Sequence, residues 1–268
     1  MNNGGSRAPS TYCYFRVAWD VLRLTACLAV FCVLGLLWSM VAIPLYYLLP
    51  RRTGLIFGRA LIHNAFRLYM RMLTIVGVCR FDLSALDVLR GQSPMIVAPN
   101  HPSLLDAVTV LSRVPGMACI MKAKIVNNVF VGAGARLARY IENDAPRRMI
   151  QLAVADLRTG HHLLLFPEGT RTTRLPIGPV RGSIGLIAKH AQVPVQAVFI
   201  ETDSALFAKG WPRLCNLHLP ISYCVRLGRR FDPPQNVRAF VIELEAYFMD
   251  AMADTRLLRY PPKTARND

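Results

Sequence analysis

The run APNHPSLLD, residues 98–106, holds one histidine and one aspartate among neutral side chains. A neutral imidazole can take the proton of a hydroxyl as it attacks a carbonyl carbon. A carboxylate on the other ring nitrogen fixes the tautomer and stabilises the imidazolium that forms. Residues at i and i+5 inside one helix differ by about 140° and cannot meet. For the pair to work, His101 must sit just ahead of a helix, with Pro102 opening it and Asp106 reaching back from the first turns. The competing reading is an ordinary helix start, with Asn100 as cap and Asp106 facing water.

A second polar group follows an apolar run in LLLFPEGTR, residues 163–171. Gly169 allows a tight backbone turn, and Arg171 offers a planar fork suited to phosphate. Glu168 is expected to orient that arginine or an acceptor. Alone, the segment is equally well a plain turn. The two segments together matter more, because an open α/β sheet places its chemistry at the carboxyl ends of parallel strands.

The rest of the chain supplies such a sheet. Beyond residue 75, short apolar runs alternate with helical stretches, which predicts an α/β fold with a mixed, mostly parallel sheet flanked by helices. Strands are expected near 77–81, 94–98, 117–121, 162–166, 195–200 and 219–227. Helices are expected at 103–113, 146–159, 182–191 and 236–255, and the tail 259–268 reads as a flexible segment.

Ahead of this domain, residues 24–49 form 26 positions without a charge, long enough to enter or cross a bilayer. Pro44 and Pro50 leave both a single tilted span and a bent re-entrant helix open. In the next segment Arg59, His63, Arg67 and Arg71 recur every fourth residue, predicting a basic amphipathic helix. Residues 1–74 are read as a membrane anchor and 75–258 as the domain that carries the chemistry. Five arginines between residues 51 and 71, against three before residue 24, favour the inner membrane with that domain on the cytoplasmic side.

The formal charge is +16 although hydrophobic residues make up 53% of the chain. That combination points to an anionic membrane surface; zinc-finger spacing and aromatic RNA-binding motifs are lacking, so no nucleic-acid partner is expected. Seven scattered cysteines without a C-x-x-C spacing read as reduced packing residues.

With Asn100, His101 and Asp106 forming NHxxxxD, Phe166 to Arg171 forming FPEGTR, Lys122 after the third strand and VPV at 193–195, the chain resembles the membrane glycerolipid acyltransferase family over roughly residues 75–200. The resemblance implies metal-free and cofactor-free transfer of a fatty acyl chain from acyl-CoA or an acidic acyl carrier protein to the hydroxyl of a lysophospholipid such as 1-acyl-sn-glycerol-3-phosphate. It implies His101 and Asp106 as the catalytic pair, and Lys122, Glu168, Gly169, Thr170 and Arg171 as substrate-binding residues. The oxyanion donors are left to backbone amides near the start of the 103–113 helix.

Three positions depart from the family pattern. Lys124 stands where a glutamate is usual, Asp144 where many members carry arginine, and Ala197 where a second proline follows VPV. They point toward a dedicated, phosphate-free acceptor as the alternative. YIEND at 140–144 and AKGWP at 208–212 resemble the branch found in aryl polyene pigment clusters. The non-enzymatic alternative is a membrane-binding scaffold on the same fold.

Overall fold

The computed structural model describes residues 11–172, 176–204, 206 and 218–253; AKGWP and the 259–268 tail lie outside them. Two long helices, α1 (Thr11–Leu48) and α2 (Arg51–Ile75), precede β1 (Cys79–Asp82) and a 3-10 turn over Ser84–Leu89. Next come β2 (Ile96–Pro99), α3 (Asp106–Leu111), β3 (Ala118–Met121), α4 (Ala123–Val126), α5 (Gly132–Leu137) and β4 (Ile141–Glu142). The chain continues through α6 (Pro146–Arg158), β5 (Leu163–Leu164), α7 (Ser183–Ala191), β6 (Val195–Thr202), β7 (Ile221–Phe231) and α8 (Val237–Ala251).

The strands form one sheet of order β1-β7-β6-β2-β5-β3-β4. From β6 to β4 all neighbours are parallel; β7 runs antiparallel to β6, and β1 pairs parallel with β7. This is the mixed, mostly parallel sheet that the sequence predicts. The central strands β2, β5 and β6 are buried on both sides, and the alternation of side chains across the sheet divides two cores. Val97, Cys119, Leu164 and Val198 face the layer of α1, α2 and α3. Ile96, Ala118, Leu163 and Ala197 face α6, α7 and α8. A strand sandwiched between two helical layers reads as a continuous apolar run, which is why IVA and LLL are legible as strands.

α1 is one helix that continues through Pro44, and its segment from Phe15 to Leu48 is long and apolar enough to cross a membrane. Phe15, Trp19, Val33, Leu37, Met40 and Tyr47 form an exposed apolar stripe along it. Its other side is held by the domain along much of its length: Arg23 donates to Val76 O, Ser39 to Val129 O, and Arg139 lies over the Tyr46 ring.

α2 corrects the expected basic stripe. Arg59 is 2% exposed and donates to Ala138 O, Gly116 O and both oxygens of Asp156 on α6. His63 is buried against Leu111 O. The four-residue period marks the face turned inward at this end of the helix, while Ile56, Phe57, Leu68 and Ile75 are exposed. Periodicity identifies a face, and burial of a charge becomes legible only with its partners.

The helix expected from residue 103 begins at Asp106, because Ser103 and Leu105 donate their amides to the side chains of Asp106 and Ser103. α5, with the helix-poor sequence GAGARL, was not expected. Glycines permit its close approach to both long helices: a Cβ on Gly134 would lie 2.3 Å from Trp38 Nε1 of α1, and one on Gly58 of α2 would lie 2.7 Å from Ala138 N.

Candidate active site

β2 is the central strand of the seven and pairs in parallel with both β6 and β5. At its carboxyl end Asn100 replaces one residue of strand pairing with its side chain: Oδ1 accepts from Ile200 N at 2.7 Å and Nδ2 donates to Ile200 O at 3.0 Å. The ladder to β6 is thereby satisfied while the main chain leaves the sheet, and the next residue is His101. Asn100 is fully buried, so an unpaired amide here would cost the full desolvation of its polar atoms.

His101 Nδ1 lies 2.7 Å from Asp106 Oδ2, and that oxygen also accepts from Ser103 N at 2.7 Å. The imidazole stacks on Phe166 with ring centroids 3.8 Å apart and planes 19° from parallel. Two restraints, one hydrogen bond and one stacking surface, set the ring's direction. A proton on Nδ1 toward the carboxylate leaves the Nε2 lone pair as the base, and the histidine side chain keeps 17% exposure against none for the aspartate. Burial pushes the Asp106 carboxyl up from its ordinary value, opposed by the hydrogen bond and charge of His101. Asp106 Oδ1 is buried and accepts no hydrogen bond among the described residues, so its charge acts mainly on the imidazole.

The second polar segment folds onto the first. Gly169 has φ +67°, as a tight turn after a strand demands, and its amide closes the turn on Phe166 O at 3.0 Å. Glu168, 3% exposed, accepts from His101 N at 3.2 Å and Thr172 Oγ1 at 2.6 Å through one oxygen, and from Gly178 N at 2.8 Å through the other. Thr172 N donates to His101 O at 2.7 Å. Glu168 is thus built into the support of the histidine backbone. A Cβ at Gly178 would lie 2.8 Å from Glu168 Oε2, so only glycine leaves room for this contact.

Lys122, exposed at the end of β3, reaches Thr170 Oγ1 at 3.3 Å. Lys122 and Thr170 are therefore neighbours at the carboxyl ends of β3 and β5, with Arg171 next in the chain and Thr172 N on His101 O after β2. Asp144, Arg147 and Arg148 are exposed where β4 passes into α6. The amides of Ser103 and Leu105, two of the donors expected for an oxyanion, are engaged by Asp106 and by Ser103 Oγ. The sequence offers Asn100 only as a helix cap, whereas its side chain bonds Ile200, and Phe166 has no expected role although it lies in a quoted motif. Thr172, Gly178 and Tyr223, whose hydroxyl meets Ser103 Oγ at 2.9 Å, carry no local signal and come from other elements. Among the described residues no cluster of His, Cys, Asp and Glu could hold a metal ion.

Residues 80–201 match the family model described as Acyltransferase. The paired His101 and Asp106 lie within the matched segment, near its start. A lyso-ornithine lipid O-acyltransferase of Rhodobacter capsulatus is 31% identical over 134 residues, 46% of this chain and 48% of that protein. A putative 1-acyl-sn-glycerol-3-phosphate acyltransferase of Caenorhabditis elegans is 21% identical over 159 residues, 56% of this chain and 59% of that protein. The chain thus spans about half the length of the curated relatives it matches. The crystal structure of the 1-acyl-sn-glycerophosphate acyltransferase PlsC from Thermotoga maritima has the same fold, with a TM-score of 0.67 over 90% of this chain and 99% of that one at 18% identity.

Proposed function

We propose that the protein transfers a fatty acyl chain from an acyl thioester, acyl-CoA or acyl carrier protein, to the hydroxyl of a lysolipid at the membrane surface. The observation that carries this reading is the 2.7 Å contact of His101 Nδ1 with Asp106, in a ring held by Phe166 with Nε2 left for substrate. His101 Nε2 takes the acceptor's hydroxyl proton as the oxygen attacks the thioester carbonyl. The tetrahedral adduct collapses with cleavage of the carbon–sulfur bond, and the departing thiolate receives that proton from the imidazolium. The ester and the free thiol balance the step, with no covalent enzyme intermediate. Asp106 stabilises the imidazolium throughout.

Lys122 and Arg171 stand at the strand ends where an acceptor phosphate would lie, which supports a lysophospholipid such as 1-acyl-sn-glycerol-3-phosphate. The second reading, a phosphate-free acceptor in a specialised pathway such as aryl polyene lipid synthesis, is favoured by Asp144 at the end of β4 and by the relative named for lyso-ornithine lipid. The exposed stripe of α1 is embedded in the inner membrane, with the domain on the cytoplasmic side; its acyl donors are found there, and a carrier protein of acidic character suits a chain of charge +16.

Thiol release from acyl-CoA and from acyl carrier protein, measured with lysophosphatidate and with lyso-ornithine lipid, tests the proposal. Release that depends on one acceptor and disappears in His101→Ala supports it and selects the acceptor. Wild-type protein that releases no thiol with either acceptor is the scaffold, and the enzymatic reading is abandoned.

A further inference from the structure

A cavity of about 430 Å³ lies between the carboxyl-terminal part of α2, the end of β1 and the far end of α3 from Asp106. Arg67, Arg71 and Arg113 line it, against one carboxylate, Asp82. Arg67 and Arg71 are one helical turn apart and so lie side by side on α2. Neither has an ion-pair partner among the described residues. Arg113 is drawn in by Asp87 on the 3-10 turn. Asp82 is turned onto its own loop, accepting from Ser84 Oγ at 2.8 Å. Two unneutralised guanidinium groups in a concave site present several donors to one tetrahedral anion.

The walls say what such an anion is attached to. Phe81 and Ile75 line the same cavity, and Ile75 is 85% exposed. Leu68, on the turn between the two arginines, is 63% exposed. This end of α2 lies beside α1 where Arg23 bonds Val76 O, next to the exposed Trp19. A basic concavity with an apolar rim at the edge of a membrane-facing helix pair matches a headgroup whose acyl chains remain in the leaflet.

We propose that this cavity binds the phosphate of an anionic phospholipid headgroup, separately from the acceptor site around His101. The site is built by α2, β1 and the end of α3, so it holds whether or not the strand-end site proves to be a transferase. It anchors the domain to the leaflet at the opposite end of α3 from the catalytic pair.

Calorimetric titration of the full chain in a neutral detergent tests this, with dihexanoyl phosphatidylglycerol, dihexanoyl phosphatidylcholine and inorganic phosphate as probes. The background is Lys122→Gln with Arg171→Gln, which removes the cations of the strand-end site. Phosphatidylglycerol binding persists in that background, and adding Arg67→Gln and Arg71→Gln lowers its affinity about tenfold or more. Phosphatidylcholine binds weakly and is unaffected, and inorganic phosphate binds more weakly than the anionic lipid. Asp82→Asn raises the phosphatidylglycerol affinity several-fold, a gain that loss of folding cannot imitate. Unchanged affinity in the arginine variants, or no gain in Asp82→Asn, overturns the site. Equal affinity for inorganic phosphate and for the lipid overturns the lipid assignment, and complete loss of binding in the background alone moves the headgroup to the strand-end site.

Discussion

Asp156, with 11% of its side chain exposed, and Asp106, with none, each hold a basic side chain at hydrogen-bonding distance, and they are arranged to opposite effect. Asp156 takes Arg59 on both oxygens, at 2.8 and 3.2 Å, and the same guanidinium donates to two backbone carbonyls. Asp106 holds His101 on one oxygen only; its other oxygen accepts nothing among the described residues, and the imidazole keeps Nε2 open. The first pair fastens α2 to α6. The second leaves acceptor capacity unused, on Asp106 Oδ1 and His101 Nε2, at the carboxyl end of β2. A saturated buried pair is architecture, and an unsaturated one is available for chemistry.

Breaking the second pair should have the largest effect. His101→Ala is expected to lower kcat/KM for acyl transfer by about 10³-fold or more while preserving the fold, since it removes the base and strands no charge except a carboxylate that can protonate. Asp106→Asn should approach the same loss through the wrong tautomer. Thiol-release kinetics check both, and near-normal turnover in the alanine variant would remove His101 from the mechanism.

Arg59→Ala is the matching test of the first pair. It leaves the mostly buried Asp156 without its arginine, and stability should fall by about 2–4 kcal/mol. Thermal unfolding reads the loss, while activity per folded molecule stays close to wild type. If activity falls and stability does not, the contrast between the two pairs is misdrawn.

Glu168 stands between these extremes, as a buried carboxylate that holds the catalytic loop. Glu168→Gln turns an amide donor toward groups that themselves donate, at a cost of about 1–3 kcal/mol, and kcat should fall more than KM rises. Acceptor-concentration series on the variant separate this positioning role from direct acceptor binding, which would raise KM alone.

The smallest effect concerns pH. Because burial raises the folded-state pKa of Asp106 above its unfolded value of about 3.8, the unfolded state releases its proton first as pH rises. The ionised aspartate therefore lowers stability at neutral pH, and the penalty disappears below the unfolded value. Asp106→Asn should unfold at an equal or higher temperature than wild type near pH 7, with that advantage shrinking toward pH 3 in parallel melts. A variant less stable at pH 7 would mean that the bonds to His101 and Ser103 outweigh the burial of the charge.

How much of this was legible in the sequence differs from element to element. The strands at Ile96–Pro99 and Val195–Thr202 announce themselves as apolar runs because both of their faces are covered. β4 is two residues long, and α5 is glycine-rich, so neither carries a usable period or propensity. The spacing of His101 and Asp106 required a break before the helix, and the break is there. Its extent, with α3 starting at Asp106, depended on hydrogen bonds from Ser103 and Leu105 that spacing does not encode.

From the sequence alone came the α/β class, the apolar amino-terminal helix and the two polar segments, because these rest on local patterns: hydrophobic period, turn residues and a fixed interval between two side chains. Only the tertiary structure decided which way those patterns face. The four-residue stripe on α2 divides into Arg59 and His63, buried in the domain, and Arg67 and Arg71, lining a cavity. Glu168 lies next to His101 although 67 residues separate them. Chain proximity sets the first kind of fact; the second depends on which strands become neighbours and which buried polar groups then have to satisfy one another.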